Sequence, residues 1–185
     1  LPAIDLLNAS LKVVEVDNHT DYRQQTLADL NFYHYPLSAA ANSAMRTAFE
    51  KLAPAVDENP KLMIESREIV ASRRAGGVIW FDFQSLCGGP RSQNDYLEIA
   101  SQFHTVFLSD VPCMPMSMSA QARRFTWLVD VLYDRCVKFI VSAAVPPEQL
   151  YVEGPLAHEF FRTVSRLNEM QSATYLALPH RTVDT

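Results

Sequence analysis

Val78-Ile-Trp-Phe-Asp-Phe83, Thr105-Val-Phe-Leu-Ser109 and Val137-Lys-Phe-Ile-Val141 are three short runs of β-branched and aromatic residues, the composition of strands covered on both faces. Two runs with helical spacing lie between them. Asp95 to Phe103 follows candidate caps at Ser92 and Asn94, and Asp95 and Glu98 suit its positive end. Ala120 to Cys136 places Ala122, Phe125, Leu128, Val129, Leu132 and Cys136 on one stripe. Strand, helix, strand, helix, strand over residues 78–142 is the pattern of an α/β layer. Lys61 to Val70 and Gly77 to Phe83 read as two strands joined by a turn that carries Arg73, Arg74, Gly76 and Gly77, where either glycine supplies the positive φ. That hairpin makes the sheet mixed. The expected fold is α/β, a mixed β-sheet with flanking helices and a C-terminal helical segment.

Outward from this layer the signals are shorter. Residues 1–9 read as the end of a helix and Leu11 to Val16 as a strand. Thr26 to Tyr35 mixes both signals and stops at Pro36. Ser38 caps a helix to Leu52, with Ala41, Met45, Ala48, Phe49 and Leu52 at helical spacing. Pro146-Pro147 starts a short helix, since proline is tolerated in a first turn. The last helix is expected from His158 to about Leu178.

The 185 residues are 48% apolar and 20% charged, with a formal charge of −5. That is enough for one sizeable core or two small ones, and it gives no basic face for nucleic acid. No apolar run approaches the roughly 18 residues that span a bilayer. Cys87, Cys113 and Cys136 are scattered, with no Cys-x-x-Cys pair, which suits a reducing compartment; the cytoplasm is the default expectation. The chain opens on Leu1 within an apolar segment. It is therefore expected to be a piece of a longer protein that has something before Leu1.

A phosphate-cradling loop needs glycine-exposed backbone N–H groups and a lysine that reaches the terminal phosphates. The five glycines, 76, 77, 88, 89 and 154, supply no such motif and no Gly-x-Gly-x-x-Gly. His-Glu-x-x-His and Gly-x-Ser-x-Gly are also missing, and the five histidines are dispersed. No metal site and no catalytic group is therefore assigned within these residues. Cys113-Met114-Pro-Met116-Ser-Met118 reads as a flexible apolar loop that packs or meets a partner, although its thiol and thioethers would also suit a soft metal. Asp82 is assigned a structural role.

Two arginine pairs remain. Arg123 and Arg124 lie in the first turn of the 120–136 helix, where positive charge opposes the helix dipole. They either form a solvated salt-bridge face with Asp130, which lies on the side of Arg123, or sense a ligand or neighbouring subunit. Arg162 and Arg166 lie one turn apart in Arg162-Thr-Val-Ser-Arg166-Leu-Asn-Glu169-Met-Gln-Ser172, which reads as one helix. Phe160, Val164, Leu167 and Gln171 make its apolar face, with Met170 beside them. Like charges at this spacing repel by a few tenths of a kcal/mol (about 0.2–0.5) unless an anion lies between them. That anion is Glu159 or Glu169 in one reading and a phosphate in the other.

Several blocks in order carry a resemblance: Leu1-Pro-Ala-Ile4, Asp21-Tyr-Arg23, Phe81-Asp-Phe-x-x-Leu-Cys87, Asp95-Tyr-Leu97, Asp110-Val-Pro112, Arg123-Arg-Phe125 with Leu128-Val-Asp130 and Leu132-Tyr-Asp134, and Ser165-Arg-Leu-x-Glu-Met170. The chain resembles the C-terminal portion of the ZapE-type AAA+ ATPases, bacterial cell-division ATPases with mitochondrial relatives. The resemblance implies a P-loop ATPase whose Walker motifs, first sensor and arginine finger lie upstream of Leu1. Residues 1–17 would finish the ATPase core, and 18–185 would form a family-specific C-terminal α/β and lid-like region. It further implies ATP and Mg2+ as cofactors of the whole protein, with none bound by this part alone. The tubulin-like division protein FtsZ would be a partner, the protein could be a homo-oligomer, and any membrane association would be peripheral. Arg166, then Arg162 and Arg124, are the candidates for sensing nucleotide. The competing expectation is a non-catalytic protein-interaction module, in which the arginines are surface ion pairs.

Overall fold

A computed structural model describes residues 26–182. The expected helix over 1–9, the strand over 11–16, the Leu1-Pro-Ala-Ile4 and Asp21-Tyr-Arg23 blocks, and the boundary at residue 17 lie outside the described residues.

Seven strands and five complete α-helices lie within these residues, after a helical turn at 26–28. In chain order they are β1 (Tyr33–His34), α1 (Ala39–Leu52), β2 (Lys61–Ile64), β3 (Arg67–Val70), β4 (Arg73–Ala75), β5 (Val78–Asp82), α2 (Gln93–Gln102), β6 (Thr105–Val111), α3 (Ser119–Asp134), β7 (Lys138–Ala143), α4 (Ala157–Glu169) and α5 (Ala173–Leu176). Five strands form one sheet in the order β1-β7-β6-β5-β4. β5, β6, β7 and β1 run parallel, while β4 pairs antiparallel with β5. The mixed α/β architecture is as the strand and helix signals of residues 78–142 require.

The alternation of side chains divides the core. Ile79, Phe81, Val106, Leu108, Phe139 and Val141 face one way and join the buried residues of α2, α3 and α4. Val78, Trp80, Phe107 and Ile140 face the other way and pack on Met45 and Phe49 of α1. Successive strand residues point to opposite faces, so a strand that is apolar at every position must be covered twice. The second face is tied by rings: Phe107 lies 5.4 Å from Phe49 and 5.6 Å from Trp80. Ser38 caps α1 as expected, its hydroxyl accepting from Ala41 N–H at 3.1 Å.

Three boundaries differ from the sequence reading. Lys61 to Val70 is a hairpin, β2 and β3, that turns at Glu65 and Ser66 with φ of 46° and 60°. Arg73 and Arg74 belong to strand β4, and the turn into β5 is Gly76-Gly77 alone, with φ of 55° and 80°. The last helix ends at Glu169, and Ser172 caps a separate α5 by accepting from Tyr175 N–H at 3.1 Å. The buried face of α4 is Phe160, Thr163 and Leu167, and Val164 and Gln171 are only partly covered.

Among the described residues no helix is long and apolar enough to cross a membrane. Among the described residues no group of three or more His, Cys, Asp or Glu is placed to hold a metal ion.

Candidate functional site

α3 and α4 pack side by side, with Thr163 donating to Thr126 between their hydroxyls at 3.1 Å. This contact sets the two helices in register. It brings the acids one turn apart on α3, Asp130 and Asp134, against the arginines one turn apart on α4. Arg162 Nη2 donates to Asp130 Oδ2 at 2.8 Å. Arg166 Nη1 ion-pairs with Asp130 Oδ1, and its Nη2 lies 3.8 Å from Asp134 Oδ1. The Arg166 guanidinium also covers the Tyr133 ring at 4.9 Å from the centroid.

One carboxylate thus serves two arginines, and their environments differ. Arg166 retains 21% side-chain exposure and Asp130 15%, whereas Arg162 retains 63%. The anion between the arginines is neither Glu159 nor Glu169; it comes from the neighbouring helix. Glu169 instead accepts the hydroxyl of Tyr133, and that bond raises the phenol above its ordinary range. The expected Arg123–Asp130 pairing does not form, because Asp130 is taken by α4, and Arg123 is exposed.

Arg124 lies apart from this cluster. Its Nε donates to Cys87 O at 2.7 Å and its Nη2 to Gly88 O at 3.3 Å. These carbonyls end a single π-helical turn, Gln84–Gly88, that follows β5. Asp82 opens the same turn, accepting from Ser85 N–H at 2.8 Å and from its hydroxyl at 2.6 Å. The Cys87 thiol within the turn is fully buried, and burial pushes its pKa up to about 12.

The segment from β5 through residues 83–92 to α2 is a strand–loop–helix unit, the arrangement that holds phosphate in nucleotide-binding α/β proteins. Here the helix end is occupied from within. Asp95 accepts from Ser92 N–H at 2.6 Å and from the Ser92 hydroxyl at 2.9 Å, a capping box. Arg67 Nη2, from β3, reaches both Asp95 oxygens at 2.6 and 2.7 Å. Burial opposes the charge on Asp95, but the Ser92 bonds and Arg67 outweigh it and hold the carboxyl below its usual range. An incoming phosphate would meet a carboxylate where it needs N–H groups.

Reading by spacing missed Asp130 as the shared acceptor, and Tyr133, Arg67 and Lys138. The acids at i, i+4 on one helix matching arginines at i, i+4 on another were the available signal for Asp130. Lys138 is buried at the start of β7, where its amine donates to Leu178 O at 2.7 Å, Tyr175 O at 3.2 Å and Cys136 O at 3.3 Å. Burial lowers its pKa.

The AFG1-like ATPase family model matches residues 1–179. The chain is 40% identical over 181 residues to the cell division protein ZapE of Escherichia coli K12, covering 97% of this chain and 48% of that protein. It is 31% identical over 211 residues to lactation elevated protein 1 homolog B of Danio rerio, covering 95% of this chain and 42% of that protein. The chain therefore spans about half the length of the curated relatives it matches. No solved structure matches. On the match over residues 1–179, the chain belongs to the AFG1-like ATPase family.

Proposed function

We propose that this chain is the C-terminal α/β and lid-like region of an AAA+ ATPase of the ZapE type, with residues 1–17 finishing the nucleotide-binding core. The whole protein binds and hydrolyses ATP with Mg2+ in the bacterial cytoplasm and acts in cell division. Its division-machinery partner is a tubulin-like protein of the FtsZ kind, and it works as a homo-oligomer. Hydrolysis uses positioning and charge stabilisation rather than a covalent intermediate. The phosphates are held by another part of the protein, and this region answers to them through Arg166, Arg162 and, at a subunit contact, Arg124.

The observation that carries this reading is the α2 N-terminus already filled by Asp95, in a chain that belongs to an ATPase family. Such a chain is expected to contribute to ATP hydrolysis without cradling the phosphates itself. A second reading, a non-catalytic interaction module, draws on the internal pairing of Arg162 and Arg166 with Asp130. Arg162→Ala, at the exposed end of the cluster, separates the two in the full-length protein. Lost ATPase activity at an unchanged melting temperature supports the sensing role. Unchanged ATPase activity with lost partner binding supports the module.

A further inference from the structure

We infer that Asp130 holds Arg162 in reserve, as an internal carboxylate that competes with the terminal phosphate of ATP for this one arginine. The inference rests on the reading that these arginines answer to nucleotide. It adds a division of labour that neither the spacing of the arginines nor the family match supplies.

The two arginines are not equivalent. Arg166 is pinned on three sides: by Asp130 Oδ1, by Asp134 at 3.8 Å and by the Tyr133 ring at 4.9 Å. Tyr133 is itself stacked on the buried Tyr175, with centroids 5.5 Å apart. Moving Arg166 would uncover this stack and leave a mostly buried Asp130 with a single exposed partner. Arg162 is held by its Nη2 on Asp130 alone among the described residues, and 63% of its side chain is in solvent. Its release breaks one contact, screened by solvent at the arginine end. Asp130 stays neutralised by Arg166 when Arg162 leaves, so the exchange creates no unpaired buried charge. The freed fork then has the planar donor geometry that fits phosphate oxygens.

Arg166 is thus a positioning residue that keeps Asp130 in place, and Arg162 is the arginine that moves. A phosphate competing with a carboxylate for the same fork binds more weakly than it would to a free arginine. Removing the carboxylate's charge should therefore favour ATP over ADP, because only ATP carries the extra phosphate.

The test measures ATP and ADP dissociation constants by calorimetry on the full-length protein, with Mg2+ present. The variants are Arg162→Ala, Arg166→Ala, Asp130→Asn and Asp130→Ser, each checked for a single cooperative thermal transition. The ratio of ADP to ATP dissociation constants is the readout, which a purely structural role would leave unmoved. Arg162→Ala is expected to lower this ratio about tenfold, the loss of one charge-assisted contact. Asp130→Asn, or Asp130→Ser if the first variant unfolds, is expected to raise it several-fold. A lowered ratio in Arg162→Ala with an unchanged or lowered ratio in the Asp130 variants overturns the reserve role while leaving nucleotide sensing intact. An unchanged ratio in both arginine variants overturns nucleotide sensing, and the reserve role with it.

Discussion

Arg67 Nη2, on the hairpin β2–β3, meets both carboxylate oxygens of the fully buried Asp95 at the first turn of α2. The pair fastens a two-stranded sheet, which shares no ladder with the main one, to the helix that follows β5. It also fills the helix end that would otherwise attract an anion. Asp95 is held below its usual range, so the folded state keeps it ionised at pH values where the unfolded chain, with an ordinary value of about 3.9, takes up a proton. Its stabilising contribution is complete above the ordinary value and is lost as pH falls through the lowered one. Asp95→Asn is expected to cost about 2–3 kcal/mol near neutral pH, below the ~3–5 of a fully buried pair because Arg67 is partly exposed. The difference from the parent chain should shrink in acid. Denaturant melts at pH 7 and pH 3 check this, and an equal loss at both would contradict it.

The thiols offer a second check. Cys113 is exposed, whereas Cys87 and Cys136 are buried. One thiol should react with an aromatic disulfide reagent in the folded chain, and three after denaturation. Arg124→Ala removes two donors from the carbonyls around Cys87. It should cost about 1.5–3 kcal/mol, the range for hydrogen bonds to a charged group, and speed the reaction of Cys87 selectively.

Phe160 joins α4 to the core through Phe125 at 6.2 Å and Tyr151 at 5.6 Å. Phe160→Ala is expected to destabilise by about 3–5 kcal/mol, as large-to-small changes at buried aromatics do. Thermal unfolding measures it. A loss under about 1 kcal/mol would mean that α4 is not docked as described.

Lys138 ties β7 to the carbonyls of Tyr175 and Leu178 at the end of α5. Lys138→Met keeps the stem but leaves three acceptors without their donor. Hydrogen exchange should accelerate at residues 173–178 and remain slow at β6. Burial lowers the lysine pKa, so the unfolded chain binds the proton more tightly. This site's contribution to stability therefore rises with pH from its folded value up to the ordinary lysine value of about 10.4. The methionine variant should lack that rise.

The layer β5-α2-β6-α3-β7 was legible in the sequence because strands covered on both faces are apolar at every position and the helices between them are amphipathic. Ser38 and Ser92 were legible as caps for the same local reason. The turn at Glu65-Ser66 was not, since both residues take positive φ without glycine or asparagine to mark it. The break after Glu169 was marked only by Ser172, whose capping role looks like an ordinary helix residue until α5 is seen. The arginines of α4 were found by spacing, but their partner was not. Asp130 lies 32 residues from Arg162, and only the docking of α3 on α4 joins them. The ATPase family came from ordered sequence blocks, not from any geometry in the layer.

In the proposed function this α/β region serves an ATPase whose phosphates are held elsewhere in the protein. Calorimetric titration of the 185-residue chain with ATP and Mg2+, alongside the full-length protein, decides this. Saturable binding is expected from the full-length protein and no measurable heat of binding from this chain. Saturable ATP binding by the 185 residues alone would contradict it.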